Sequence, residues 1–139
     1  MRVMVLVKAS ERSEAGEMPT TEELAAMGRF NEELVRAGVM LDGDGLARSA
    51  EGKRVRFDRD GGTTVLDGPF AETKELVAGY WILEVSSLEE AVEWMQRSPF
   101  RNAEVAIRRV HVPEDFGEAF TPELQAAEQK LRDEAAGRQ

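Results

Sequence analysis

The chain contains no cysteine, only one histidine, and no hydrophobic run long enough to cross a bilayer in its 139 residues. The lack of cysteine removes disulfides, thiol nucleophiles, zinc–thiolate sites and iron–sulfur clusters together. The first apolar run, Val3 to Val7 between Arg2 and Lys8, is too short for a signal-peptide core followed by a cleavage site. A cytoplasmic protein without a membrane partner is therefore expected. Positive charge is also scarce: 18 Lys and Arg stand against 27 Asp and Glu, a net of −9. Such a chain repels phosphate backbones, and no cluster of basic residues overrides the balance, which argues against nucleic acid as a partner. Nucleophile elbow, phosphate loop, dinucleotide fingerprint and zinc-binding His/Glu pairs are all missing. Nothing in the motif set implies a cofactor or a metal.

What is present suits one globular domain, since 42% of the residues are apolar and domains commonly run about 100–150 residues. Arginine outnumbers lysine 14 to 4, the bias of a GC-rich bacterial genome. Residues 3–7 are continuously apolar and rich in β-branched valine, which predicts a strand covered on both faces. Residues 9–19 read as a loop. Thr20 and Glu23 have capping-box spacing, and Leu24, Met27, Phe30 and Leu34 make a helical stripe that Gly38 ends. Val39-Met40-Leu41 follows, then the glycine-rich Asp42-Gly43-Asp44-Gly45, which reads as a turn, and a possible short strand over residues 46–50. Arg54-Val55-Arg56-Phe57 and Thr63-Thr64-Val65-Leu66 flank a turn and predict a β-hairpin. Residues 79–85 alternate as a strand, with Trp81, Leu83 and Val85 on one face. Ser86 and Ser87 open a second helix carrying Leu88, Ala91, Val92 and Met95, with Trp94 on its flank. Residues 103–110 return as a strand.

The order strand, helix, strand, hairpin, strand, helix, strand predicts an α+β fold: a ferredoxin-like split βαβ sandwich with an inserted hairpin. Both helices then lie on one face of an antiparallel sheet. Because the first strand is apolar on both faces, a second copy of the sheet is the simplest cover for the other, and a homodimer is expected. Residues 113–139 form an accessory extension outside the 1–112 domain. Thr121-Pro122-Glu123 starts its helix, whose apolar side is thin.

The most distinctive stretch is Leu66-Asp67-Gly68-Pro69-Phe70-Ala71-Glu72-Thr73-Lys74-Glu75, followed by Gly79-Tyr80. It resembles the YCII-related proteins, and within them the DGPF-domain group, whose signature is spelled by Asp67, Gly68, Pro69 and Phe70. The resemblance spans residues 1–112. It implies a dimeric ferredoxin-like αβ-barrel and a group often found beside, or fused to, extracytoplasmic-function sigma factors. In part of the wider family a histidine between the first strand and first helix, with an aspartate, suggests acid–base chemistry. Residues 8–30 hold no histidine here, so that catalysis does not carry over.

Read from the residues, Asp67-Gly68 is a turn pair, Pro69 fixes the next φ, and Phe70 is a scaffold plug aimed inward. Turn geometry needs neither Glu72 nor Lys74. With Asp67 and the hydroxyl of Tyr80, they are the candidate ligand-binding residues, at a pocket between sheet and helices. His111, the only histidine, reads as a surface or interface residue. Asp42 and Asp44 read as turn formers, and Trp81 and Trp94 as packing. The expected function is a dimeric binding or regulatory module for a small molecule or a sigma factor. The alternative is an enzyme that uses the same barrel pocket.

Overall fold

The computed structural model describes residues 1–138, which divide into two compact units, residues 1–109 and the remainder from Val110 onward. In the first unit, β1 (Arg2–Lys8) leads into a single turn of helix, α1 (Glu11–Glu14), then α2 (Thr21–Arg36) and β2 (Met40–Gly45). The hairpin β3 (Lys53–Phe57) and β4 (Thr63–Asp67) follows, then β5 (Val77–Glu84), α3 (Leu88–Gln96) and β6 (Val105–Arg109). The four-stranded sheet has the order β2-β5-β1-β6, with every neighbouring pair antiparallel. This is the ferredoxin-like α+β arrangement, with β3 and β4 as a separate ribbon.

The core is what the periodicity requires. Val3 and Val5 of β1, Trp81, Leu83 and Val85 in and after β5, Phe30 and Leu34 of α2, and Ala91 and Met95 of α3 are buried together. Each fully buried aliphatic side chain contributes about 1.5–3 kcal/mol. The stripes are narrower than the sequence suggests, since Leu24, Leu88 and Val92 remain exposed.

The capping box expected at Thr20 forms, whereas at Ser87, where the spacing also suits a box, only the N-cap half forms because Glu90 Oε1 accepts from Ser86 N–H instead. The Thr20 and Glu23 side chains each accept the other's backbone N–H, at 3.1 Å. Ser87 Oγ accepts from Glu90 N–H at 3.1 Å. Gly38, just past α2, has φ +73°, a conformation that glycine adopts without strain.

Three local readings are corrected. Asp42-Gly43-Asp44-Gly45 is not a turn but the body of β2, paired with β5 across a bulge between Met40 and Asp42. Residues 46–50 form no strand; a 3₁₀ turn covers Ser49–Glu51 instead. The loop before α2 contains α1, capped by Ser10 and tied to α2 by Arg12, which donates to both Glu23 carboxylate oxygens at 2.9 and 2.8 Å.

The second unit holds a kinked 3₁₀ segment, Pro113–Ala119, and α4 (Pro122–Ala136), which Thr121 caps with proline at its first position. No residue of α4 is buried. No helix among the described residues is long and apolar enough to cross a membrane.

Candidate functional site

A cavity of about 450 Å³ opens between α2 and the β2 end of the sheet. Its floor is the indole of Trp81, which makes edge contacts with Phe30 and Phe100 at 6.0 and 5.9 Å between ring centroids. Val7, Met27, Met40 and Phe100 supply apolar walls. Glycines make the room. Gly43 faces Trp81 across the strand pair, and a Cβ there would lie 2.8 Å from Trp81 Cδ1. Gly45 and Gly79 are also paired and also line the cavity.

The polar residues among those that line it are Asn31, Asp44 and Tyr80. Strand alternation separates them. Trp81 pairs with Gly43 and points to the helices, so Asp44 and its partner Tyr80 project from the opposite face of the sheet. There the Tyr80 hydroxyl approaches Asp44 Oδ2 at 3.5 Å. Its pKa is raised, first by the charge of Asp42, then by desolvation and by Asp44, because a phenolate beside two carboxylates is unfavourable. Asn31 comes from α2 on the helix side, and its Oδ1 accepts the Trp81 indole N–H at 2.9 Å.

Of the four residues singled out by sequence, Tyr80 alone lines this cavity. Asp67 ends β4 and forms an ion pair with Lys53 across the hairpin base. Glu72 and Lys74 are exposed on and beside the 3₁₀ turn Thr73–Glu75. Phe70 is half-buried, with the Arg54 guanidinium carbon 3.8 Å above its ring centroid.

The signature loop is built as a clasp. Phe70 N–H donates to Ser49 Oγ at 3.0 Å. Ser49 Oγ in turn donates to Glu14 Oε1, and Ser49 N–H donates to Glu14 Oε2 at 2.9 Å. These two bonds from Ser49 hold the Glu14 carboxyl below its ordinary pKa. Gly68 passes so close that a Cβ would fall 1.7 Å from the Ser49 carbonyl oxygen. The clasp thus joins α1, the hairpin root and the residues leading to β5.

Sequence reasoning missed Asn31, Ser49 and Glu14. Asn31 left one signal: it stands four residues after Met27 on the side of the apolar stripe that runs from Leu24 to Leu34. Ser49 and Glu14 left none, because their contact spans 35 positions.

In the second unit, His111 Nδ1 lies 3.0 Å from Asp115 Oδ2, and Phe116 packs edge-on against both His111 and Phe120. The His111 side chain is 67% exposed, as a surface residue would be. A shallower hollow of about 330 Å³ lies against Phe116, Ala119, Phe120 and Glu128. Among the described residues no three His, Asp or Glu side chains gather in a way that would hold a metal ion.

The family model for the YCII-related domain matches residues 1–114. An uncharacterized protein of Rhizobium meliloti (strain 1021) is 50% identical over 34 residues, a stretch that covers 24% of this chain and 27% of that protein. The match thus spans about a quarter of that relative's length. Among solved structures, 5-chloro-2-hydroxyhydroquinone dehydrochlorinase from Burkholderia phenoliruptrix AC1100, in complex with 2,5-dihydroxybenzoquinone, is similar at a TM-score of 0.45 and 16% identity, covering 80% of this chain and 94% of that one. So loose a superposition carries no argument about chemistry.

Proposed function

Since the chain belongs to the YCII-related domain family, and its sheet and α2 enclose an apolar cavity, we propose that it is a dimeric module that binds a small, largely apolar molecule. One observation carries the reading: about 450 Å³ of space beside Trp81, onto which Gly45 opens without a side chain to fill it. Ligand sites usually measure about 300–1,000 Å³ and are apolar with a few placed polar groups. Trp81, Phe100 and Met27 give the lining its apolar, aromatic character. The signature loop supports the site through the clasp rather than by touching the ligand.

The second copy covers the sheet face away from the helices. That face presents Met4, Leu6, Ile82 and Ala106, adjacent in register across three strands. Asp42 and Asp44 line its β2 edge, and Arg108 lies at its β6 edge. A two-fold axis parallel to the strands lays the acidic edge of one copy over the basic edge of the other. The charges then complement each other around an apolar centre.

Gly45→Leu tests the cavity. A Cβ at Gly45 has its nearest neighbour, Ala78 O, 4.0 Å away, so the larger side chain enters the open space without a clash. Titration of the wild type with small one- and two-ring aromatic compounds should shift NMR signals of Val7, Met27, Trp81 and Phe100. The variant should lose those shifts and keep its melting temperature. Shifts that persist in Gly45→Leu, or that map elsewhere, would refute the reading. Chemical change of the added compound would make the protein an enzyme instead.

A further inference from the structure

We infer that Asn31 is the specificity-determining residue of the cavity and that it selects ligands carrying a hydrogen-bond acceptor, such as a ketone or other carbonyl oxygen, on a planar apolar body. The inference rests on the cavity's being the binding site and adds what the site recognises.

The orientation of the Asn31 amide is fixed by its partner. An indole N–H can only donate, so the group 2.9 Å from Trp81 Nε1 is the carbonyl oxygen of Asn31. The NH₂ group must then point away from the indole, and Nδ2 makes no hydrogen bond within the protein among the described residues. It is not sealed from solvent either, because no buried side-chain nitrogen or oxygen lacks a partner. Asn31 lines the cavity, and the side chains of the other polar lining residues, Asp44 and Tyr80, alternate to the far face of the sheet. On the Trp81 side, the amide NH₂ is therefore the polar side-chain group that a ligand meets, and it is a donor. An apolar ligand would leave it desolvated and unpaired, whereas an acceptor satisfies it. Trp81 holds the donor in place through its indole N–H.

A matched pair of probes tests this: 2-acetylnaphthalene and 2-isopropenylnaphthalene have the same shape, with a carbonyl oxygen exchanged for a CH₂ group. NMR titration of the full chain gives both dissociation constants. The ketone should bind at least about tenfold more tightly, with a shift of the Asn31 side-chain NH₂ resonances. Asn31→Asp keeps an acceptor for Trp81 Nε1–H but removes the donor. It should keep the fold and erase the preference. Asn31→Leu should erase it too. Equal affinities in the wild type, or a preference that survives in Asn31→Asp, would overturn the role of Asn31 while leaving the cavity as a binding site. Failure of both probes to perturb Val7, Met27, Trp81 or Phe100 would overturn the cavity and this inference together.

Discussion

Single positions carry the structure where two backbones or two charges approach closely. Gly68 is the sharpest case, with the Ser49 carbonyl oxygen 1.7 Å from where a Cβ would stand. Backbone on both sides leaves nothing flexible to yield. Gly68→Ala should cost about 3 kcal/mol or more in a urea denaturation, with amide-exchange protection lost first in the hairpin. Wild-type stability in that variant would show that the loop re-forms without the clasp. Glu23 is governed by charge. The Arg12 guanidinium, with help from Thr20 N–H, holds its carboxyl at about 2 against an ordinary 4.5. The folded value lies below the unfolded one, so this stabilisation is complete above the unfolded value and is lost as pH falls toward 2. Glu23→Gln should lower the melting temperature near neutral pH and flatten its decline between about pH 5 and pH 2. Parallel melting curves for the two proteins across that range would remove Arg12–Glu23 from the account of acid stability.

At the scale of elements, α2 does two tasks with one face. Phe30 and Leu34 seal the core, while Met27 and Asn31 stand one turn earlier against the cavity. The strand β2 is equally divided: Met40 packs on the core, Gly43 lets Trp81 lie against the strand, and Gly45 opens on the cavity. The hairpin β3–β4 is nearly all exposed, with Phe57 75% accessible, and its clasp at Ser49 ties its root to α1. By contrast, α4 has no buried residue, and residues 114–139 carry seven acidic side chains against three basic ones. Deleting residues 114–139 should therefore leave a cooperative thermal transition for the rest of the chain. An insoluble product, or a flat melting curve, would make the extension part of the fold.

For the whole molecule, the decisive quantity is the state of association. Met4, Leu6, Ile82 and Ala106 are the apolar centre of the face that the proposed second copy would cover, and a stable interface needs about 1,200 Å² or more in total. Light scattering at micromolar concentration should give the mass of two chains. Arg108→Glu, which sets like charge against Asp42 and Asp44 of the second copy, should shift it toward one. A monomeric wild type would refute the dimer. The sequence by itself determined the α+β class, the alternation of β1, α2, β5, α3 and β6, the caps at Thr20 and Ser87, and the hairpin. These follow from apolar periodicity and from hydrogen bonds between residues a few positions apart, which the order of residues contains. Only the tertiary structure decided that Asp42 to Gly45 is a strand, because glycine's turn preference gave way to pairing with β5 and to the room Trp81 needs. It also decided that Asn31, not Asp67, Glu72 or Lys74, meets Trp81 in the cavity. That contact joins residues 50 positions apart, and neither side chain's local pattern encodes the other.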